Sequence, residues 1–172
     1  MFNGGQGKPK SPMMVAAGIQ AAITRKSRKT AKAVRYSHDW AVTMTKWLIT
    51  KASRGVKWQL VEFLGPNGGE SAGIVDLMAI RKDHGQTSGG IRRGDLFEII
   101  LLQVKGGNAR WPTQSDIERL RRVARHHRAK CVLLAEWKKG SQPCFYRLTN
   151  RSKPRVDLTR EWVEAPPTEV FG

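Results

Sequence analysis

The sequence contains little cysteine, little acidic charge and no long hydrophobic run. Its two cysteines, Cys131 and Cys144, are too few for a disulfide scaffold or a zinc ribbon, and they fit a reducing compartment. No apolar stretch reaches the roughly 18 residues that a membrane span requires, so we expect a cytoplasmic protein without a membrane partner. The GxGxxG, P-loop and HExxH motifs are also missing, so the sequence does not indicate a nucleotide-binding protein or a zinc protease.

Basic residues dominate the charge. Lys and Arg number 31 against 14 Asp and Glu, which gives a formal net charge of +17. Such an excess predicts an anionic partner, with DNA as the first candidate, and hence a location at the nucleoid or, in a eukaryote, in the nucleus. Eight basic residues and no acidic residue precede Asp39, so residues 1–37 are interpreted as a basic, mostly disordered arm that contacts phosphates. Residues 13–24 are mildly apolar and could form a short helix within this arm. A solvating tail without a specific role and a signal peptide are the alternatives.

The apolar pattern predicts an α/β fold with a small mixed sheet flanked by helices. Stretches that are apolar on both faces indicate buried strands, whereas an apolar stripe after Pro112 and Ser115 indicates a helix. The predicted elements are helix 38–55, strands 57–64, 71–81 and 95–105, helix 114–130, and strands 131–137 and 144–149. They form one domain over residues 38–150, and residues 151–172 are interpreted as a loose C-terminal extension.

Two of the predicted strands carry polar residues where apolar ones are expected. Asp76 lies within GIVDLMAI, where a buried carboxylate costs on the order of several kcal/mol unless it is paired or metal-bound. In QVK, which ends the next strand, Gln103 and Lys105 share one face because residues two apart point the same way. The two strands could therefore bring these three side chains together. A satisfied structural acid and a lysine whose amine reaches solvent are the alternatives.

The pattern G-I-V-D, followed by 26 residues and then Q-V-K, resembles the motif of the PD-(D/E)XK nuclease superfamily. Within it, the Holliday-junction resolvases and the virus-type replication-repair nucleases are closest in layout. The resemblance covers residues 70–107 in motif and about 38–149 in layout, and it implies a restriction-endonuclease-like αβββαβ core. Asp76 matches the motif aspartate, and Gln103 stands at the position of its second acid. Lys105 matches the lysine that would orient the attacking water or stabilise the transition-state charge.

The resemblance also implies a divalent cation and phosphodiester hydrolysis. Mg²⁺ or Mn²⁺ would be held by Asp76, by the amide oxygen of Gln103 and by a further acid. Glu70, in the glycine-rich stretch before the Asp76 strand, is the first candidate for that acid. Asp39, near the start of the first predicted helix, and Glu62, in the first predicted strand, are the alternatives.

The predicted function is a metal-dependent DNA endonuclease that acts on branched or ordinary duplex DNA. A catalytically inactive DNA-binding protein of the same fold is the alternative, because Gln103 replaces a negative ligand with a neutral amide. An RNA- or ribosome-associated protein would explain the charge but not the position of Asp76. Family resolvases act as dimers, so a homodimer is an open alternative. DNA contacts are expected from Arg92, Arg93, Arg110, Arg121, Arg122 and Arg125.

Overall fold

A six-stranded mixed sheet and three helices make up the computed structural model, which describes residues 12–55, 57–63, 73–85, 89–149 and 161–172. In chain order the elements are α1 (Pro12–Ala52), β1 (Gln59–Glu62), β2 (Leu77–Lys82), β3 (Phe97–Gly106), α2 (Gln114–His126), β4 (Cys131–Trp137), β5 (Cys144–Leu148), β6 (Trp162–Glu164) and α3 (Pro167–Phe171). The prediction of an α/β fold with a mixed sheet and flanking helices is therefore confirmed.

The strands follow one another across the sheet in chain order, from β1 at one edge to β6 at the other. The pairs β1–β2, β2–β3, β4–β5 and β5–β6 are antiparallel, whereas β3 and β4 are parallel. A parallel pair needs a crossover connection, and α2 supplies it between β3 and β4. The carboxyl ends of β3 and β4 consequently lie at the same end of the sheet, where Lys105 is opposite Glu136.

Apolar side chains cover both faces of the sheet. One face packs against Ala41 and Ile49 of α1 and against Phe171 of α3. The other face packs against Ile117 and Leu120 of α2. The central strands β3 and β4 are buried on both faces over most of their length, which explains their continuous apolar sequences.

The glycine at position 106 permits a close approach between α1 and the end of β3. A Cβ at Gly106 would lie 2.6 Å from the backbone oxygen of Ser37 and 3.1 Å from the Cβ of Ala41. The first distance is shorter than real Cβ contacts allow, so a larger residue would push the helix away. This close packing brings the neighbouring residue His38 towards the end of β3.

The chain divides into two units, Met1–Tyr36 and Ser37–Gly172. The described residues of the first unit, 12–36, lie in α1, so this part of the predicted disordered arm is helical instead. The physical reason is composition: alanine, lysine and arginine favour helix, and no proline follows Pro12 in the segment. Its side chains from 23 to 36 are exposed and include six basic and no acidic residues.

The C-terminal residues contribute a strand and a helix that the sequence did not predict. β6 pairs with β5, and Leu148 lies opposite Trp162. Trp162 and Phe171 are both buried, on different faces of the sheet, so residues 161–172 belong to the core and are not loose. Among the described residues, no helix combines the length and the hydrophobicity that crossing a bilayer would require.

Candidate active site

Asp76 immediately precedes β2, at a bend, and is not inside the strand as the sequence predicted. Its backbone N–H donates to the Leu102 carbonyl at 2.9 Å, and its Oδ2 accepts the Val104 N–H at 2.5 Å. Asp76 is thus bound to β3 at the two residues that flank Gln103. Because 16% of its side chain is exposed and one oxygen is hydrogen-bonded, its charge costs much less than a fully buried one would.

His38 on α1 is the second ionisable side chain at this place, and no pattern in the sequence identified it. Its Nε2 lies 3.9 Å from Oδ1 of Asp76, and 18% of its side chain is exposed. Imidazole and carboxylate groups both bind divalent metals, and they attract each other when the histidine is protonated. The contact depends on the close packing of α1 on Gly106, which is a property of the folded chain and not of the local sequence.

Gln103 is a buried polar residue whose side-chain oxygen is free to bind a cation. Only 7% of the residue is exposed, and its Oε1 accepts no hydrogen bond from any described residue. An unpaired buried acceptor costs about 1–3 kcal/mol, so a native structure normally supplies it with a partner. Asp76 precedes Leu77 and Gln103 follows Leu102, so extending the antiparallel pair Leu77–Leu102 by one residue places Asp76 beside Gln103. Carboxylate and amide oxygens are ligands that hard cations prefer, so these two residues fit a divalent cation.

Lys105 lies on the same face of β3 as Gln103, near the start of α2. In the strand register it is opposite Glu136 of β4. Hydrogen bonds from the hydroxyl and the backbone N–H of Thr113 lower the pKa of Asp116 in the first turn of α2, and the charge of Lys105 lowers it further. The amine of Lys105 is therefore close enough to the first turn of α2 to act on charges there.

Glu136 is a second acidic residue at the carboxyl ends of the central strands. It is 7% exposed, and its Oε1 accepts a hydrogen bond from Trp111 Nε1 at 2.6 Å and lies 3.0 Å from Lys138 Nζ. These two partners compensate its buried charge. The signal that could have identified it was present in the sequence, because Glu136 interrupts the apolar run CVLLAEW just as Asp76 interrupts GIVDLMAI.

The acids considered as a further metal ligand occupy different places. Glu70 lies outside the described residues. Asp39 is exposed within α1 and not near the start of a helix, because α1 begins at Pro12. Glu62 accepts a hydrogen bond from Lys46 at 2.5 Å. Within the part of the chain that the structure describes, no three His, Cys, Asp or Glu residues are grouped so that they could hold a metal ion.

The arginines predicted to contact DNA differ in their surroundings. Arg121 is engaged within the fold, since its guanidinium donates to the Glu161 carboxylate at 2.7 Å and to the Thr149 carbonyl at 3.1 Å. Glu161 is fully buried just before β6, so Arg121 compensates a buried charge there. The other five are exposed, on loops or on α2: Arg92, Arg93, Arg110, Arg122 and Arg125.

Gly69, Ser71 and Gly73 have the GxSxG spacing of the nucleophile turn in α/β-hydrolases. Residues 69–72 lie outside the described residues. That turn leads from a strand into a helix, whereas Gly73 is followed by Ile74, which packs with the α2 side of the core, and then by β2. The chain after Gly73 does not supply the helix that the motif requires, so we assign no nucleophilic role to Ser71.

Comparisons with known proteins give no family for this chain. No protein-family model matches it, and no curated protein or solved structure matches it either. The side chains at the carboxyl ends of β3 and β4, together with the adjacent Asp76 and His38, are therefore the basis for inferring a function.

Proposed function

We propose that this protein is a metal-dependent endonuclease that hydrolyses phosphodiester bonds in DNA. One observation carries the proposal: Asp76 is bound to β3 on both sides of Gln103, and Lys105 lies two residues later on the same face as Gln103. The element order α1, β1, β2, β3, α2, β4 is also the αβββαβ order that the PD-(D/E)XK resemblance implies. Both features support a restriction-endonuclease-like core.

The proposed cation ligands are the Asp76 carboxylate, the Gln103 amide oxygen and Glu70, and the cation is Mg²⁺ or Mn²⁺. When bound, such a cation polarises the scissile phosphate and lowers the pKa of a water molecule. Lys105 stabilises the negative charge that develops on the phosphate oxygens. The unpaired oxygen of Gln103 supports this assignment, because a buried acceptor without a partner among the described residues weakens the fold unless a ligand uses it.

DNA is the proposed partner because of the basic surface of the protein. Arg92 and Arg93 are exposed in the loop between β2 and β3, and Arg110 is exposed after β3. Phosphate contacts from such residues position DNA without reading its sequence, so the proposed binding depends on salt more than on sequence. We include branched DNA and a homodimer in the proposal, since the resolvases that the sequence resembles cut junctions as dimers.

Cleavage by the purified protein tests the proposal. We expect it to nick supercoiled plasmid and to cut a four-way junction with Mg²⁺ or Mn²⁺, and to give no product in EDTA. Lys105→Ala should bind DNA but lose most of the rate, because Lys105 acts on charge that develops in the transition state. The control Lys139→Ala removes an exposed lysine from the turn between β4 and β5 and should cleave like the wild type. Equal rates in the two variants would remove Lys105 from the mechanism.

A DNA-binding protein without catalysis is the second candidate function. Gln103 offers a cation no negative charge, and the described residues contain no group of three His, Cys, Asp or Glu side chains suited to a metal. The basic surface would be retained in such a protein and would still bind phosphates. Tight DNA binding without cleavage, at every concentration of Mg²⁺ or Mn²⁺ tested, would select this function over the nuclease.

A further inference from the structure

A groove lined by basic side chains lies between α2 and the amino-terminal end of β4. Its volume is about 1210 Å³, and among the described residues one acidic side chain, that of Glu118, lines it together with six cationic side chains. The six are Arg121, Arg122, Arg125, Arg128, Lys130 and Arg147. Lys105 and Glu136 lie at the opposite end of the strands, so this basic groove is separate from the candidate active site. We propose that the basic groove binds the phosphodiester backbone of DNA.

Half of these six cations have no ion-pair partner among the described residues. Three are paired within the fold: Arg121 with Glu161 at 2.7 Å, Lys130 with Glu98 at 2.7 Å, and Arg147 with Glu169 at 3.3 Å. The other three are exposed and form no ion pair or side-chain hydrogen bond with any described residue: Arg122, Arg125 and Arg128. Their spacing of three residues along α2 and its C-terminal end corresponds to a span of about 9 Å. Such a row of like charges is self-repelling, and a bound polyanion removes the repulsion.

The backbone of Arg128 adopts a conformation that suits glycine better than arginine. Its φ is +50°, in the left-handed region, at the position just after α2 where helices commonly end on glycine. The Arg128 N–H donates to the Arg125 carbonyl at 3.2 Å, and the Ala129 N–H donates to the Ala124 carbonyl at 2.8 Å, which closes the helix end. The turn itself therefore does not need an arginine side chain, whereas a phosphate-binding groove does.

The chemistry of the basic groove fits phosphate and does not fit bases. No aromatic side chain is among the described residues that line it, so it offers no platform for base stacking; its apolar contacts come from Val132, Leu148 and Val163. Guanidinium groups bind phosphate oxygens through two parallel hydrogen bonds. Three such groups in a row, in a chain with a net charge of +17, match a polyanion with repeated phosphates better than a single small anion. The inference rests on the proposed function for the choice of DNA as the ligand.

A salt titration of DNA binding tests the inference. Fluorescence anisotropy with a labelled duplex of about 20 base pairs, in EDTA, gives the slope of log affinity against log salt concentration. The variant Arg122→Gln/Arg125→Gln/Arg128→Gln should flatten that slope by about 2–3 units, because each phosphate contact contributes about 0.9. The control Arg54→Gln/Lys57→Gln/Lys139→Gln removes the same charge from exposed positions outside the basic groove and should change the slope by less than about one unit. Equal changes in both variants, or none in either, would overturn the inference.

The single variant Arg128→Gly separates binding from folding. Glycine adopts a positive φ without strain, so we expect a melting temperature equal to or above that of the wild type. DNA affinity should nevertheless fall and the salt slope should flatten by about 0.9. A melting temperature that rises with unchanged DNA affinity would show that the Arg128 side chain does not bind the backbone.

The assay distinguishes this inference from the proposed nuclease function. Binding is measured in EDTA, where metal-dependent hydrolysis does not occur. A wild type that never cleaves DNA, together with a flattened slope in the triple variant, overturns the nuclease and supports the basic groove. A wild type that cleaves, together with an unchanged slope in the triple variant, supports the nuclease and overturns the basic groove.

Discussion

Replacing Gln103 with methionine distinguishes a ligand-binding residue from a structural one. Methionine has nearly the same length and volume as glutamine, so Gln103→Met removes the unpaired buried oxygen without leaving a cavity. That oxygen costs the fold about 1–3 kcal/mol when no ligand is bound. Removing the oxygen should recover this free energy, but the different shape of the methionine side chain offsets part of it. We therefore expect Gln103→Met to be more stable than the wild type by about 1 kcal/mol in EDTA.

Thermal unfolding with and without divalent cations measures this difference. In a chain of 172 residues, 1 kcal/mol corresponds to about 2–4 °C in the melting temperature. Saturating Mg²⁺ or Mn²⁺ should raise the melting temperature of the wild type, because a ligand that binds only the folded state stabilises it, and should raise that of Gln103→Met much less. If the variant were less stable than the wild type in EDTA, the amide of Gln103 would have a structural role and its oxygen would not be a site kept for a ligand.

Three further predictions concern packing, pH and the first unit. Gly106→Ala should lower the free energy of unfolding by about 1–3 kcal/mol in a denaturant titration, because its Cβ would lie 2.6 Å from the Ser37 oxygen; an unchanged midpoint would contradict this. Asp116→Asn should destabilise the protein above about pH 4, where the carboxylate bonded to Thr113 is ionised. That difference should shrink as the pH falls through the lowered pKa of Asp116, and a difference that stays constant down to the acid unfolding of the protein would exclude the mechanism. Removing residues 1–36 deletes eight cations. If half of them contact phosphates, the slope of log DNA affinity against log salt concentration should flatten by about 3–4 units. Single-turnover cleavage at saturating DNA should not change, and loss of cleavage would mean that these residues serve the active site.

The central strands could be predicted because burial on both faces leaves a continuous apolar run. β4 begins at Cys131 and ends at Trp137, as predicted, and β3 differs from its prediction by two residues at its start and one at its end. β6 has only three residues, which is too short for a periodic pattern, so its pairing with β5 could not be found from sequence. A short helix over residues 13–24 was considered, but the helix over residues 25–36 was missed because charge density was interpreted as disorder although the composition favours helix.

Only part of the candidate site follows from the sequence. Successive side chains of a strand point to opposite faces of the sheet, and this alone places Gln103 and Lys105 on one face. Asp76 was placed inside a strand because the apolar run continues on both sides of it, whereas the folded backbone bends at this residue and its carboxylate accepts the Val104 N–H. His38 and Glu136 come close to these residues through the packing of α1 and the parallel pairing of β3 with β4, which no local pattern encodes.

Single-turnover cleavage of duplex DNA by the wild type and by Asp76→Asn tests whether Asp76 serves metal-dependent hydrolysis. Asparagine retains an amide oxygen that can accept the Val104 N–H, so the variant should fold and should bind DNA in EDTA as the wild type does. The proposed function predicts cleavage by the wild type only with Mg²⁺ or Mn²⁺, and a rate for Asp76→Asn that is lower by on the order of 100-fold or more. Equal rates for the two proteins, or no cleavage by the wild type at any metal concentration, would contradict it.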